Sequence, residues 1–183
     1  MTVTRSWPAG VHVVADRAAL VVAAADRIGR ILADSIARHG HCSLALAGGA
    51  TPRPVYDELA RRHREGDRAV DWANVWMLFG DERCVPPDDP ASNYRMAREA
   101  LLEHLPVREG RVLRMRGELD PGLAAADYEI AMARALRSPG RPVLDLVLLG
   151  LGDDGHTASL FPGTAAVRER VRSCVAQYVD KLS

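Results

Sequence analysis

Three short runs, apolar on both faces and each opening into a glycine-bearing polar loop, constrain this chain more than any other feature. They lie at 43–47 (SLALA), 75–79 (VWMLF) and 143–149 (VLDLVLL), and the loops that follow read GGATP at 48–52, GDER at 80–83 and GLGDDGH at 150–156. A strand covered on both faces reads as a continuous apolar run, whereas a strand with one wet face alternates. The segments between them carry helical spacing. Residues 17–38 set Leu20, Val21, Ala24, Ile28, Ile31, Leu32 and Ile36 on one stripe, with Gly40 as the stop. Further helices are expected after the 48–52 turn, near 92–104 and over 124–137, with loops at 106–122 and 138–142 and shorter strands at 11–15 and 174–179. Strands alternating with helices specify an α/β fold with a mainly parallel sheet and helices on both faces, and ligands bind at the carboxyl ends of such strands. Three polar loops far apart in sequence are therefore expected to converge at one sheet edge.

At 183 residues the chain has the length of one domain, 1–183, and can bury a core without disulfide or metal staples. Its 24 basic and 24 acidic side chains cancel. That removes the broad positive footprint needed for sequence-independent binding to nucleic acid or an anionic membrane. All the basic residues but one are Arg, the exception being Lys181. Upstream of it neither a Schiff-base lysine nor a Walker-type loop can be built, so any phosphate falls to Arg and backbone amides. Cys42, Cys84 and Cys174 are odd in number, widely spaced and without a CxxC pair, which fits reduced packing residues in the cytoplasm. No apolar run approaches the roughly 18–20 residues of a membrane span. The first ten residues, with Trp7 and Pro8, do not read as a signal peptide.

In the first loop, Gly48 and Gly49 permit tight turning, Thr51 is a good helix N-cap and Pro52 suits the first helical position. A helix N-terminus with open amides at the sheet edge suits a phosphate; the same residues equally fit a capped turn that binds nothing. In the second loop Asp81, Glu82 and Arg83 can orient a polar ligand, Arg83 clamping an anion. Asp88 and Asp89 read as solvated, and no His or carboxylate lies nearby at metal-ligand spacing. The third loop matches GxGxxG after a strand, but Asp153 and Asp154 sit where a pyrophosphate would, and Pro162 limits any following helix to a turn or two. Asp180 keeps a ribose-binding acid formally present, yet dinucleotide binding is the weaker reading. His156 is set among glycines beside a carboxylate, where an imidazole serves as a general base. His12, His39, His41, His63 and His104 lie in strand or helix-end contexts and read as structural or solvated.

Taken together, LALAGGATPRPVYDELA (44–60), WMLFGDERCVPPDDPASNYRMAREALL (76–102) and LDLVLLGLGDDGHTASLFPG (144–163) closely resemble the 6-phosphogluconolactonase family. The resemblance implies a Rossmann-like three-layer α/β/α fold related to glucosamine-6-phosphate deaminases and ribose-5-phosphate isomerases. It also implies hydrolysis of a small-molecule sugar-phosphate lactone, 6-phosphoglucono-δ-lactone, to 6-phosphogluconate with no cofactor and no metal. The family's GG(S/A)TP turn falls on Gly48 to Pro52, whose amides with Thr51 would hold the phosphate, and Arg83 would add charge. The family's DGH falls on Asp154, Gly155 and His156. His156 is then expected to deprotonate the attacking water, with Asp154 or Asp81 orienting its ring.

In the deaminase relatives the DGH loop runs on towards Asn-Glu-Pro; here it runs Thr157-Ala158-Ser159-Leu160-Phe161-Pro162, without the Glu expected to assist ring opening. Family members usually continue past the position of Lys181 into a further arginine-bearing strand and a helix with a phosphate-facing cation. By that measure the C-terminal part of the fold is expected to be missing, leaving an exposed sheet edge. The expectation is a lactonase, the alternative being an inactive or truncated sugar-phosphate-binding module. Oligomeric state is left open.

Overall fold

Caps and buried stripes agree along the first helix of the computed structural model, which describes residues 10–137 and 141–180. Helix α1 (Arg17–His39) starts where the Asp16 carboxylate accepts a hydrogen bond from the Ala19 amide and stops where Gly40 turns left-handed at φ +76°. Its buried face runs through Ala25, Ile28, Leu32 and Ser35, so the stripe lies one turn past Leu20, which is exposed. Strand β1 (Cys42–Leu46) follows, every residue buried, then helix α2 (Arg53–Arg64) and strand β2 (Val75–Phe79). Helix α3 (Asn93–Ala100), helix α4 (Pro121–Leu136) and the two-residue strand β3 (Leu146–Val147) complete the order.

Among the described residues the sheet has three parallel strands in the order β2-β1-β3, with Cys42 to Leu46 in register with Val75 to Phe79 and Leu44–Ala45 beside Leu146–Val147. Strand alternation divides the core between two layers. Leu44, Leu46, Val75, Met77 and Phe79 pack with Leu32 of α1, Tyr56 and Leu59 of α2 and Ala97 of α3. Ala45 and Leu78 point the other way, against Tyr128 and Met132 of α4. The result is the expected three-layer α/β/α arrangement. From the central β1 the chain passes to β2 on one side through α2, then to β3 on the other side with α4 across the opposite face. The loops after β1 and β3 diverge at this reversal, where open α/β sheets bind ligands.

Several expected elements differ. Residues 11–14 form no strand, and Val13 is 77% exposed; a lone alternating segment without a neighbouring strand gains no ladder. The 143–149 run, expected as a buried strand, pairs over two residues and one further bond from Leu148 N to Ala45 O, with Val143 80% exposed. Its far edge has no strand beside it among the described residues. Residues 174–179 are likewise not a strand; Cys174 packs near Tyr128 while Tyr178 is exposed. Trp7, Pro8, Lys181 and part of the 138–142 loop lie outside the described residues.

What holds β3 is Asp145. Its Oδ2 accepts from the Ser43 amide at 2.8 Å and the Ser43 hydroxyl at 2.6 Å, and its Oδ1 accepts from the Ser35 hydroxyl at 2.7 Å. Burial alone would raise this carboxyl, but the bonds from Ser43 and Ser35 outweigh it and keep it below the ordinary aspartate value. One carboxylate thus ties β3 to β1 and α1.

Candidate active site

The carboxyl ends of β1 and β2 are finished by two buried tyrosines, one from each helix layer. The Tyr56 hydroxyl of α2 accepts from the Ala47 amide and donates to the Ala47 carbonyl, both at 2.9 Å. The Tyr128 hydroxyl of α4 does the same for Phe79, at 2.8 and 3.0 Å. Each phenol satisfies backbone groups that the ladder leaves open at a strand end, and burial pushes both phenols up in pKa. The polar loops therefore spring from rigid points.

After β1 the chain turns at Gly49, φ +97°, and enters α2. Thr51 does not cap that helix: Pro52 occupies the cap position and no side chain bonds the first-turn amides. Helices α1, α3 and α4 are each closed by a capping side chain, Asp16, Ser92 and Asp120. The 49–51 turn is exposed, and no side chain closes the helix start that follows it. Arg17, at the start of α1, reaches across to donate from Nη2 to the Ala50 carbonyl at 3.0 Å. This places a guanidinium at the turn, visible only once α1 packs beside α2.

In the loop after β2 the three charged residues separate in role. Glu82 accepts from the amides of Asn93 (2.7 Å) and Tyr94 (2.8 Å) and from the Ser92 hydroxyl (3.0 Å), so it caps α3 rather than facing a ligand. Arg83 donates from Nη1 to the Ala91 carbonyl at 2.9 Å. Asp81 accepts from Asn93 Nδ2 at 3.2 Å and from the Ser159 hydroxyl at 2.7 Å, the latter across from the loop after β3. Asp81, Arg83 and Ser159 line one cavity of about 360 Å³ on the α4 side of the edge. Gly48 to Thr51 and His156 lie outside its lining.

His156 is held from three directions. Its Nδ1 donates to Asp154 Oδ1 at 2.5 Å, its ring stacks on Phe161 at 4.2 Å between centroids, and Gly152 lies so close that a Cβ there would overlap the imidazole. The ring's carboxylate partner is Asp154, while Asp81 bonds Asn93 and Ser159. With Nδ1–H on the carboxylate, Nε2 carries the lone pair that accepts a proton. The loop does not lead into a helix; residues 151–164 are turns with one bridge between Thr157 and Leu160, so the GxGxxG lacks the helix a pyrophosphate would need.

With this geometry in place, comparison with known proteins is specific. The profile described as glucosamine-6-phosphate isomerases/6-phosphogluconolactonase matches residues 15–181. The chain belongs to this family. Named 6-phosphogluconolactonase, a relative from Treponema pallidum is 43% identical over 133 residues, 72% of this chain and 54% of the relative, and one from a Nostoc species is 39% identical over 165 residues, 88% and 66%. A solved 6-phosphogluconolactonase from Trypanosoma cruzi superposes with a TM-score of 0.76 at 35% identity, covering 87% of this chain and 65% of that one. The chain thus spans about half to two thirds of these relatives' length.

Among the described residues of this family member no three His, Cys, Asp or Glu side chains gather as a metal site would require, and no helix is long and apolar enough to cross a membrane. Cys42 is buried, which pushes its thiol up to about 11, whereas Cys84 is exposed and so departs from the packing role expected of it. Sequence reasoning passed over Tyr56, Tyr128, Asn93, Ser159 and Arg17. Asn93 and Ser159 stand inside the quoted motifs, but only the folded loops show what they bond.

Proposed function

We propose that this chain hydrolyses 6-phosphoglucono-δ-lactone to 6-phosphogluconate in the cytoplasm, as a single domain without a cofactor. The observation that carries the reading is the His156–Asp154 pair, a ring fixed by a carboxylate, an aromatic face and a glycine on a loop at the carboxyl edge of the sheet. His156 Nε2 removes a proton from water, the hydroxide equivalent adds to the lactone carbonyl, and the carbon–ring-oxygen bond breaks to leave the acid and a hydroxyl. Asp154 stabilises the imidazolium that forms, which returns its proton to the leaving ring oxygen. The exposed 49–51 turn, with Thr51 and Arg83, holds the phosphate beside Gly48, and the phosphate's binding energy positions the lactone. The names of the relatives support the lactonase side of the family, as does the Thr157 to Pro162 sequence where a deaminase would carry its Glu.

The test is lactone consumption by the full chain, with the lactone generated in situ and compared with the spontaneous rate. Acceleration, stronger for the phosphorylated lactone than for glucono-δ-lactone, is expected. A folded sample that binds 6-phosphogluconate but leaves the rate unchanged overturns the reading in favour of a binding module.

A further inference from the structure

Asn93, the first residue of α3, packs between the Gly48 turn and the loop after β2. The residue is 3% exposed, and its Nδ2 donates to both the carbonyl (3.1 Å) and the carboxylate (3.2 Å) of Asp81. Its carboxamide fills the space that a Cβ at residue 48 would overlap, so Gly48 is required for it to fit. The other Asp81 oxygen takes the Ser159 hydroxyl. A continuous link therefore runs from the Gly48 turn through Asn93 and Asp81 to the loop that carries His156. Each joint has a stated chemistry: a missing side chain at Gly48, an amide donor at Asn93, a carboxylate acceptor at Asp81, a hydroxyl donor at Ser159.

We propose that Asn93 is a positioning residue that sets the phosphate-binding turn and the His156 loop at a fixed spacing by bridging Gly48 and Asp81. The inference rests on the lactonase reading and concerns residues to which that reading gives no role. Space filling alone would be met by any isostere, whereas the bridge needs a donor aimed at a carboxylate. The charged groups facing position 93 are Asp81 from the β2 loop and Glu82, which accepts the Asn93 amide; Gly48 contributes none.

Asn93→Asp separates the two roles, because an introduced carboxyl donates only while protonated and, beside Asp81, two like charges resist joint ionisation. Measured as kcat/KM relative to the parent at each pH from 5.5 to 8, N93D is expected to fall about tenfold as pH rises. Asn93→Ala is expected to lose about tenfold in kcat/KM at every pH, shared between a lower kcat and a higher KM. Ser159→Ala, on a half-buried loop and safe for folding, is expected to lower kcat about fivefold with KM within twofold of the parent. A flat N93D ratio, or N93A within twofold of the parent, overturns the bridge while leaving the lactonase reading intact. Should both Asn93 variants fail to fold, an unchanged kcat in S159A overturns it. A folded parent that does not accelerate hydrolysis overturns the lactonase reading and the inference with it, which distinguishes the two failures.

Discussion

Replacing Tyr128 by Phe tests the claim that the site loops rise from pinned strand ends. The hydroxyl is the partner of both the amide and the carbonyl of Phe79, and both residues are 3% exposed, so water cannot replace it. Leaving a buried donor or acceptor unpartnered costs about 1–3 kcal/mol, and removal of a desolvated hydroxyl returns part of this; the net loss for the pair is about 2–3 kcal/mol. With a urea m-value of about 2 kcal/mol/M for a domain of this size, the unfolding midpoint falls by about 1–1.5 M at constant m. Tyr56→Phe provides the internal comparison. Ala47 is only half-buried, so water re-satisfies its backbone and the expected loss is about 1 kcal/mol. A Y128F loss below about 0.5 kcal/mol, or a larger loss in Y56F than in Y128F, refutes the reasoning.

Three other outcomes follow from the same geometry. Asp145→Ala should cost about 2 kcal/mol in chemical denaturation by stranding the Ser43 amide. Because the folded carboxyl lies below the ordinary value of 3.8, its stabilisation is complete above that value and lost as pH falls from it towards the lower folded one, so the parent's pH dependence in that window should shrink in the variant. Gly152→Ala pushes a methyl into the His156 ring and should cut kcat about 100-fold with little change in KM, since misplacing a reacting group by an ångström costs that much. Arg83→Ala should raise KM about tenfold or more in steady-state assays by removing a charged donor from the phosphate, and an unaltered KM would count against that contact.

The architecture was readable where local and global signals coincide. Residues 43–47 and 75–79 are apolar on both faces because helices cover both, and Asp16 and Gly40 bracket α1 as their chemistry dictates. At 143–149 a strand is present as read but pairs over only two residues and has no neighbour on one side among the described residues, since periodicity reports which side chains want burial and not which backbone edge finds a partner. In the candidate site, the pairing of His156 with Asp154 was legible because the two stand two positions apart in a glycine-bearing turn. Glu82 shows the limit of charge as a signal: a charged loop residue reads as ligand-facing or solvated, and here the first-turn amides of α3 take it. Arg17, Tyr56, Asn93 and Ser159 carry no local pattern at all. Their roles exist only between elements, in bonds spanning 33, 9, 12 and 78 positions.

The central claim is that His156 supplies the base while separate loops hold the phosphate. The most direct measurement compares the parent with His156→Ala for lactone turnover and for 6-phosphogluconate binding in the same buffer. The account predicts a loss of turnover of about 100- to 10,000-fold, the usual contribution of a positioned base, with product affinity within a few-fold of the parent. Turnover unchanged in a variant that still binds would contradict it.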